Sequence, residues 1–302
     1  MQDGIPGPTD VVWVTLRAGS VALCPLPDCC LSVAGCRQTV MDDARRDPDS
    51  SNHPTVAGTY AHIVGSDDST LTDRRAVDAF TRRWPGVAEN SVENARFERR
   101  LVRWLAGQGI RQILNLGSGR PKPEGNVHEV LAEETGGGRV VYVEHDSTAH
   151  AHAQAMWGSR SGAAYIEADV GDTSRVLNEL RDRRLLDLSQ PVGVLLLAVL
   201  PYIPADPAAV VAPYADAVPS GSFLAITHMA SDGVPAELLR DLDRALESAG
   251  GVFIRPRDMI EAAWQGWPLE EPGIVDVRDW RPDGEPAACG PLPMLAGVAR
   301  KP

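Results

Sequence analysis

The sequence predicts an α/β fold in which an open, mostly parallel sheet carries helices on both faces. Short apolar runs alternate with segments of helical periodicity from residue 90 onwards. One run, residues 192–200, is almost entirely apolar, as expected for a central parallel strand that is covered on both faces. Another run ends in Gly117-Ser118-Gly119, and a third ends in Glu144. These features are typical of sheets that bind a nucleoside at the carboxyl ends of their strands.

The first predicted helix follows Asn90 and ends at Gly107 and Gly109, because glycine is common just after a helix. Its apolar side chains recur at helical spacing, at Phe97, Leu101, Trp104 and Leu105. Strands and helices then alternate along the chain. Strands are predicted at 113–116, 139–144 and 164–168, and helices are predicted to begin at Asn126, Thr148 and Asp172.

The alternation continues to the end of the chain. After the run 192–200, Asp206-Pro207 places an N-cap before a proline at the first helical position, which predicts a helix through Ala217. A strand at 222–227 and helices at 235–249 and 257–264 follow. The last two strands, at 273–277 and 294–299, have no long helix between them. They therefore predict an antiparallel hairpin at one edge of the sheet.

The overall charge restricts the partners of the chain. Its 302 residues carry a formal net charge of −12 and no basic cluster, so we expect neither nucleic acid nor an anionic membrane as a partner. No run is long and apolar enough for a membrane-spanning helix, and the N-terminus lacks the pattern of a signal peptide. We therefore expect a cytoplasmic enzyme with a small-molecule substrate. The oligomeric state stays open, with a homodimer as one alternative.

The N-terminal segment differs from the rest in composition. Residues 1–52 are rich in proline, glycine, cysteine and serine and have no sustained period, which predicts a flexible extension before a domain at 53–302. Met41 is a plausible alternative start. Four of the five cysteines cluster here, at Cys24, Cys29, Cys30 and Cys36. Their spacing does not match the two separated pairs of a zinc finger, so no metal is expected, and a reducing compartment is the simpler interpretation.

The candidate site consists of the residues that follow the strands. Gly117 and Gly119 would let a ligand approach bare backbone, and Glu144 could accept two hydrogen bonds from a ribose diol. A dinucleotide site needs a third glycine at a helix start, but Lys122 stands there between two prolines. Because the pyrophosphate cradle is missing, S-adenosylmethionine, a nucleoside without phosphates, fits better. A nicotinamide-dependent oxidoreductase is the weaker alternative.

These motifs resemble those of S-adenosylmethionine-dependent methyltransferases with the class I Rossmann-like fold. More narrowly, residues 53–302 resemble a family long catalogued as a domain of unknown function and called an S-adenosyl methyltransferase family. The resemblance rests on residues 54–60, 110–119, 125–130, 140–146, 195–200, 280–282 and 297–302. The Gly-Asn-x-His-Glu and Trp-Arg-Pro strings are its more specific parts. The resemblance implies a seven-stranded sheet with one antiparallel strand and binding of S-adenosylmethionine, but no particular methyl acceptor.

Two positions depart from the pattern of the resembled family. Methyltransferases commonly have an acid two residues before the first glycine, where this chain has Asn115. Asparagine keeps an acceptor but lacks the charge that would attract the methionyl ammonium. The family's Gly-Gly-Lys-Asp string is Gly65-Ser66-Asp67-Asp68 here, without the lysine. These departures motivate a second hypothesis, a protein that binds the nucleoside without turning it over.

The resemblance suggests a role for each part of the cofactor site. The glycines would contact the methionyl part, Asp169 would accept from the adenine amino group, and the Val170 N–H would donate to the adenine ring. Residues 198–200 would form the wall beside the sulfonium. Simpler alternatives are an ordinary turn for the glycines and for Asp169, and a helix cap for Glu144. The predicted cofactor-binding residues are Asn115, Gly117, Ser118, Gly119, Glu144, His145, Asp169, Val170 and Ala198.

The predicted catalytic residues near the acceptor are His128, Tyr202 and His228. Methyl transfer is an in-line displacement that chiefly needs alignment of the nucleophile and exclusion of water. A histidine base would help if the acceptor is a hydroxyl or a phenol. For both histidines, a packing role is an equal alternative.

Two further groups of side chains carry weaker hypotheses. His150 and His152 fall on different faces of a helix, so we expect no metal site there. Trp264, Trp267 and Trp280 could line an aromatic acceptor pocket, although packing in the core or at an edge is the more common role.

Overall fold

The computed structural model describes residues 14–16, 20–22, 53–157, 162–247, 251–285 and 290–302. The chain divides into two compact units, Met1–Asp49 and Ser50–Pro302. In the first unit, strand β1 (Val14–Leu16) pairs antiparallel with β2 (Ser20–Ala22). The remainder of the predicted flexible extension, with its clustered cysteines, lies outside the described residues. That extension, and the domain boundary at residue 52, stay predictions.

The second unit is organised around one sheet, to which the described residues contribute seven strands. In chain order they are β3 (Gln112–Leu116), β4 (Arg139–Glu144), β5 (Ala163–Glu167), β6 (Gly193–Leu197), β7 (Phe223–Met229), β8 (Val275–Asp276) and β9 (Met294–Arg300). Their order across the sheet is β5-β4-β3-β6-β7-β9-β8. Strands β3 to β7 are parallel, and β9 runs antiparallel to both β7 and β8. The predicted fold class, with its antiparallel edge hairpin, is confirmed.

Helices cover both faces of this sheet, as predicted. They are α1 (Val56–Ile63), α2 (Leu71–Arg83), α3 (Val87–Gly107), α4 (Val127–Thr135), α5 (Ser147–Trp157), α6 (Thr173–Asp182), α7 (Pro207–Ala217), α8 (Ala236–Leu246) and α9 (Arg257–Glu261). One apolar layer joins the sheet to α3, α4, α5 and α8. The other joins it to α6, α7 and α9. Because β6 is buried on both faces, its sequence is a continuous apolar run and does not alternate between apolar and polar residues.

Local sequence explains several helix starts. Asn126 and Glu129 form a capping box at the start of α4. Asp206 accepts a hydrogen bond from the backbone of Ala209, and Pro207 follows it at the first position of α7. These caps coincide with the predicted ones. No helix within the described ranges is long and apolar enough to cross a membrane.

Two boundaries near the site differ from the prediction, and two helices before it were not predicted. The central strand ends at Leu197 and not at Leu200, because Ala198 adopts a left-handed backbone with φ of 55° and Leu200–Tyr202 forms a 3₁₀ turn. Helix α3 starts at Val87, after Gly86, and so is longer than predicted. Helices α1 and α2, which precede it, were not predicted.

Candidate functional site

The loops after β3, β4 and β5 meet at one edge of the sheet. The backbone N–H groups of Gly117 and Ser118 donate to the carbonyl oxygen of Val143 over 2.8 and 3.1 Å. The N–H of Gly119 donates to the Glu144 carboxylate over 2.8 Å. The N–H of Ala168, which follows β5, donates to the Glu144 carbonyl over 3.1 Å. The sheet order changes direction between β3 and β6, so this edge is the crevice where open α/β sheets bind ligands.

Gly117 and Gly119 both have a left-handed backbone, with φ of 71° and 66°. Their surroundings differ. A Cβ atom on residue 117 would lie 2.1 Å from Cγ2 of Val199, so this glycine lets the loop after β6 approach the loop after β3. A Cβ on residue 119 would meet no atom within 4 Å. Gly119 therefore faces open space, as a glycine beside a ligand would.

Glu144 is a buried carboxylate that the surrounding backbone holds in place. It is 5% exposed. One oxygen accepts from Gly119, and the other accepts from the backbone N–H groups of His145 and Asp146 over 2.9 and 3.1 Å. Burial by itself would raise the pKa of Glu144, but the His145 ring and these backbone donors outweigh burial and lower it. The group is thus an ionised acceptor at the edge of the sheet.

His145 lies beside this carboxylate on the exposed side. Its ring nitrogen Nδ1 is 2.9 Å from the nearer oxygen of Glu144. The hydrogen bond to Glu144 raises the pKa of His145 to about 9, against the opposing effect of desolvation. The charges of Glu144, Asp169 and Asp146 add to this rise. The imidazole is therefore protonated at neutral pH.

Asp169 and Val170 follow β5, at the same carboxyl ends of the strands. Asp169 is exposed, and its carboxylate accepts a hydrogen bond of 2.7 Å from the N–H of Gly171. That contact is the turn role that was the simpler alternative. Val170 is buried, and its carbonyl accepts a hydrogen bond from Tyr214 over 2.7 Å. Their roles toward adenine stay predictions.

A chain of buried hydrogen bonds positions the strained residue after β6. The Ala198 N–H donates to the Thr227 hydroxyl over 2.8 Å, and that hydroxyl donates to the Asn94 side chain over 2.7 Å. The Asn94 amide donates to Tyr60 on α1 over 3.0 Å. A left-handed alanine costs on the order of 1–2 kcal/mol, so this network offsets strain in the wall of the site. Sequence spacing gave no indication of this network.

The predicted catalytic residues lie in separate surroundings. On α4, the ring Nδ1 of His128 lies 2.8 Å from the Tyr142 hydroxyl, and the ring packs edge-on against Tyr142 and Trp157. Tyr202 is half-buried against the layer that contains α3, and burial raises its pKa to about 12. The structure thus favours the packing alternative for His128.

His228 is buried in the opposite layer. Its Nδ1 donates to the carbonyl of Met229 over 2.8 Å, and its Nε2 lies 3.2 Å from the Arg255 guanidinium. Burial is the main reason that its pKa falls to about 4; the Met229 hydrogen bond opposes this fall and the Arg255 charge adds to it. Because neighbouring strand residues alternate between faces, His228 points away from Thr227. Its surroundings are those of a core histidine, without access to an acceptor.

Trp264 and Trp280 are buried in the core, and Trp267 packs against the layer that contains α6 and α7, so all three have the packing role that was the more common alternative. No group of metal-ligating side chains was found among the described residues, His150 and His152 included.

Arg120 is a site residue that sequence reasoning missed. Its guanidinium is buried and donates to the Asp68 carbonyl over 3.0 Å and to the Thr55 hydroxyl over 3.3 Å. The carboxylates of Asp68, Asp73 and Asp146 lie 3.6, 3.9 and 3.5 Å away. Arg120 therefore fastens the segment containing α1 and α2 onto the loop after β3. Asp68 is the last residue of the string at 65–68, which departs from the pattern of the resembled family. Although this string lacks the family's lysine, it makes the contact with Arg120.

A small cleft lies beneath the loop after β3. Asn115, Ser118 and Gly119 line it, together with Tyr142, Glu98 and Lys122. Four of the predicted site residues thus border one space or contact each other, since Gly119 also holds Glu144. The arrangement offers a carboxylate for a diol, open backbone at Gly119 and a polar cleft beside both.

Comparisons with known proteins agree with this geometry. Residues 42–302 match a family model described as S-adenosyl methyltransferase. The crystal structure of a candidate methyltransferase from Thermobifida fusca YX is 35% identical, with a TM-score of 0.77, covering 83% of this chain and 96% of that one. The crystal structure of a DUF574 family protein from Streptomyces avermitilis MA-4680 is 30% identical, with a TM-score of 0.77. The match covers 85% of this chain and 100% of that one. No curated protein matches the chain.

Proposed function

The chain belongs to the S-adenosyl methyltransferase family, and from this premise we propose that it methylates a small-molecule acceptor at the carboxyl ends of β3 to β6. Membership establishes S-adenosylmethionine as the cofactor and methyl transfer as the reaction. S-adenosylmethionine supplies a methyl group on a positively charged sulfur. The identity of the acceptor and the roles of single residues are the proposal.

The residues at this edge fit a nucleoside without phosphates. Glu144 presents an ionised carboxylate, which suits the two hydroxyl groups of a ribose. Gly119 leaves open space beside it, and Lys122 stands where a dinucleotide motif has its third glycine. The buried carboxylate held by the Gly119 N–H is the observation that carries the proposal.

We assign the remaining contacts from their positions around Glu144. Asp169 and the Val170 N–H would bind the adenine, because they follow the strand next to β4. Ala198 and Val199 would form the wall on the other side, where Val199 contacts Gly117. The His145 ring would give up part of its contact with Glu144 when a ribose diol binds.

On the acceptor side, the residues support alignment more than proton transfer. With a pKa of about 12, Tyr202 keeps its proton at neutral pH and can donate a hydrogen bond to an acceptor. His228 is occupied within the core and is not retained as a base. Catalysis would then come from orientation and exclusion of water, which suffice for many displacement reactions.

A calorimetric titration with S-adenosylmethionine tests the proposal. The wild-type chain should bind, and Glu144→Ala should weaken binding by about 1–3 kcal/mol, because a buried hydrogen-bonding partner of the ribose is lost. Glu133→Gln, which alters an exposed acid on α4, should leave the affinity unchanged. Absence of heat with the wild-type chain would remove the idea.

Two further experiments address the alternatives. A competitive titration with NAD should show no displacement, and tight NAD binding would favour the oxidoreductase. In a screen of small-molecule acceptors, one confirmed methylated product would exclude the binding protein without turnover. The cytoplasmic location, the lack of nucleic-acid binding and the homodimer remain predictions from the sequence.

A further inference from the structure

Asn115 is an uncharged residue in the lining of the cleft. Its carboxamide carries no charge, so this position supplies none for the cofactor's ammonium. The residue is 3% exposed and lines the cleft beneath the loop. A carboxamide can both donate and accept hydrogen bonds, so this part of the cleft suits a polar ligand.

The cleft also holds an ion pair between two segments of the chain. Lys122, on the loop after β3, donates to the carboxylate of Glu98 on α3. Their side chains are only 23% and 14% exposed. Asn126 fixes the backbone of Lys122 on both sides, accepting from its N–H over 2.9 Å and donating to its carbonyl over 2.8 Å. The cation thus lies in the lining of the cleft, on a loop segment that Asn126 holds in place.

A third polar group faces the same space. The indole nitrogen of Trp157 is buried and has no hydrogen-bond partner among the described residues, and the ring lines the cleft with Asn115. The indole N–H is a donor only. The cleft therefore has an anion, a cation and an amide in its lining, with the Trp157 indole beside them.

We propose that Glu98 and Lys122 bind the amino-acid end of the cofactor, with Glu98 receiving its ammonium and Lys122 its carboxylate. The inference rests on the proposed function. An amino acid carries the same two charges as the ion pair, so the pair can open and each member can take the opposite charge of the ligand. The net charge of the cleft stays unchanged. Glu98 then supplies the negative charge that Asn115 lacks, and the Asn115 amide bridges the two ligand groups.

A simple structural ion pair would behave differently from a recognition pair. A structural ion pair contributes to the stability of the fold and does not distinguish between ligands. A recognition pair should discriminate between S-adenosylhomocysteine, which has the amino-acid end, and 5′-methylthioadenosine, which lacks it. Comparison of these two ligands therefore separates the proposal from the structural alternative.

The test is calorimetric titration of both ligands into the full chain and its variants. Wild type should bind S-adenosylhomocysteine at least about tenfold more tightly than 5′-methylthioadenosine, since two charge-assisted contacts distinguish them. Glu98→Gln and Lys122→Met should each weaken the binding of S-adenosylhomocysteine by about tenfold and leave the affinity for 5′-methylthioadenosine unchanged. Glu134→Gln, which breaks an exposed ion pair with Arg103, should change neither affinity.

The sharpest variant exchanges the two charges. Glu98→Lys combined with Lys122→Glu keeps an ion pair, so the thermal unfolding midpoint should stay near that of wild type. Binding of S-adenosylhomocysteine should be lost, because its ammonium would now meet a lysine and its carboxylate would meet a glutamate. Binding of 5′-methylthioadenosine should be retained. Wild-type affinity in this exchange variant would overturn the proposal, as would an equal loss for both ligands. If the wild-type chain binds neither S-adenosylmethionine nor S-adenosylhomocysteine, the proposed function itself fails.

Discussion

Single residues show how one backbone conformation serves two purposes. Gly117 and Gly119 both need φ above 60°, yet one contacts protein and the other faces open space. Their sequence pattern, Gly-x-Gly after a buried strand, predicts the turn but cannot say which glycine faces a ligand. That distinction depends on Val199, which comes from a strand that is remote in sequence.

Substitution of each glycine should separate stability from binding. Gly117→Ala should lower the free energy of unfolding by about 2–4 kcal/mol, because left-handed strain adds to a clash with Val199. Gly119→Ala should cost only about 1–2 kcal/mol, from strain alone, but should weaken cofactor binding, since the methyl group would enter the open space. Urea unfolding and calorimetry measure the two effects. Equal losses of stability would contradict the assigned surroundings.

The pair Glu144–His145 gives the site a defined pH dependence. The pKa of His145 is raised from 6.5 to about 9. Its stabilising contact is therefore fully present below pH 6.5 and is lost as the pH rises through about 9. The pKa of Glu144 is lowered from 4.5, so its contribution is present above pH 4.5 and is lost as the pH falls through the lowered value.

Titration of the His145 ring by NMR measures this coupling. Wild type should titrate near pH 9, and Glu144→Gln should bring the value back toward 6.5, because the charged hydrogen-bond partner is gone. If His145 titrates at its ordinary value in the wild-type chain, the contact with Glu144 is not formed in solution.

At the scale of elements, some helices could be predicted and others could not. Helix α4 follows from its cap and its apolar spacing, and β6 follows from its apolar run. Helices α1 and α2 lack a strong apolar face, although Thr70 and Asp73, three residues apart, form a capping box that marks the start of α2. Their position over the site depends on Arg120, some fifty residues away from Asp68. Such a long-range contact leaves no trace in local periodicity.

Removal of the Arg120 guanidinium should release these two helices. Arg120→Met should lower the free energy of unfolding by about 3 kcal/mol or more, because it leaves the buried carboxylate of Asp73 without its cation. Hydrogen exchange should accelerate in α1 and α2 and stay slow in β3 and β4. The matched change Arg103→Met removes two exposed ion pairs, with Glu134 and Asp283, and should cost less than about 0.5 kcal/mol. Unchanged exchange in α1 would mean that other contacts hold the segment.

At the scale of the whole molecule, the sheet order explains why the site is where it is. The chain moves outward through β3, β4 and β5 and then returns to place β6 on the other side of β3. This reversal places the helices that follow β3 and β6 on opposite faces of the sheet, and it leaves a crevice at the carboxyl ends of the strands. The alternation of strands and helices predicts such a sheet, and the predicted residues after β3 and β4 do lie together. The acceptor residues were less predictable, because a histidine or tryptophan has the same sequence pattern in a core as in a pocket.

The central claim is that one adenosine-sized site spans the ends of β3, β4 and β5. A crystal structure of the full chain with S-adenosylhomocysteine tests it most directly. Both ribose hydroxyl groups should lie within hydrogen-bond distance of the Glu144 carboxylate, and the adenine should lie beside Asp169. A ligand bound at another edge of the sheet, with Glu144 still fully occupied by its backbone donors, would contradict it.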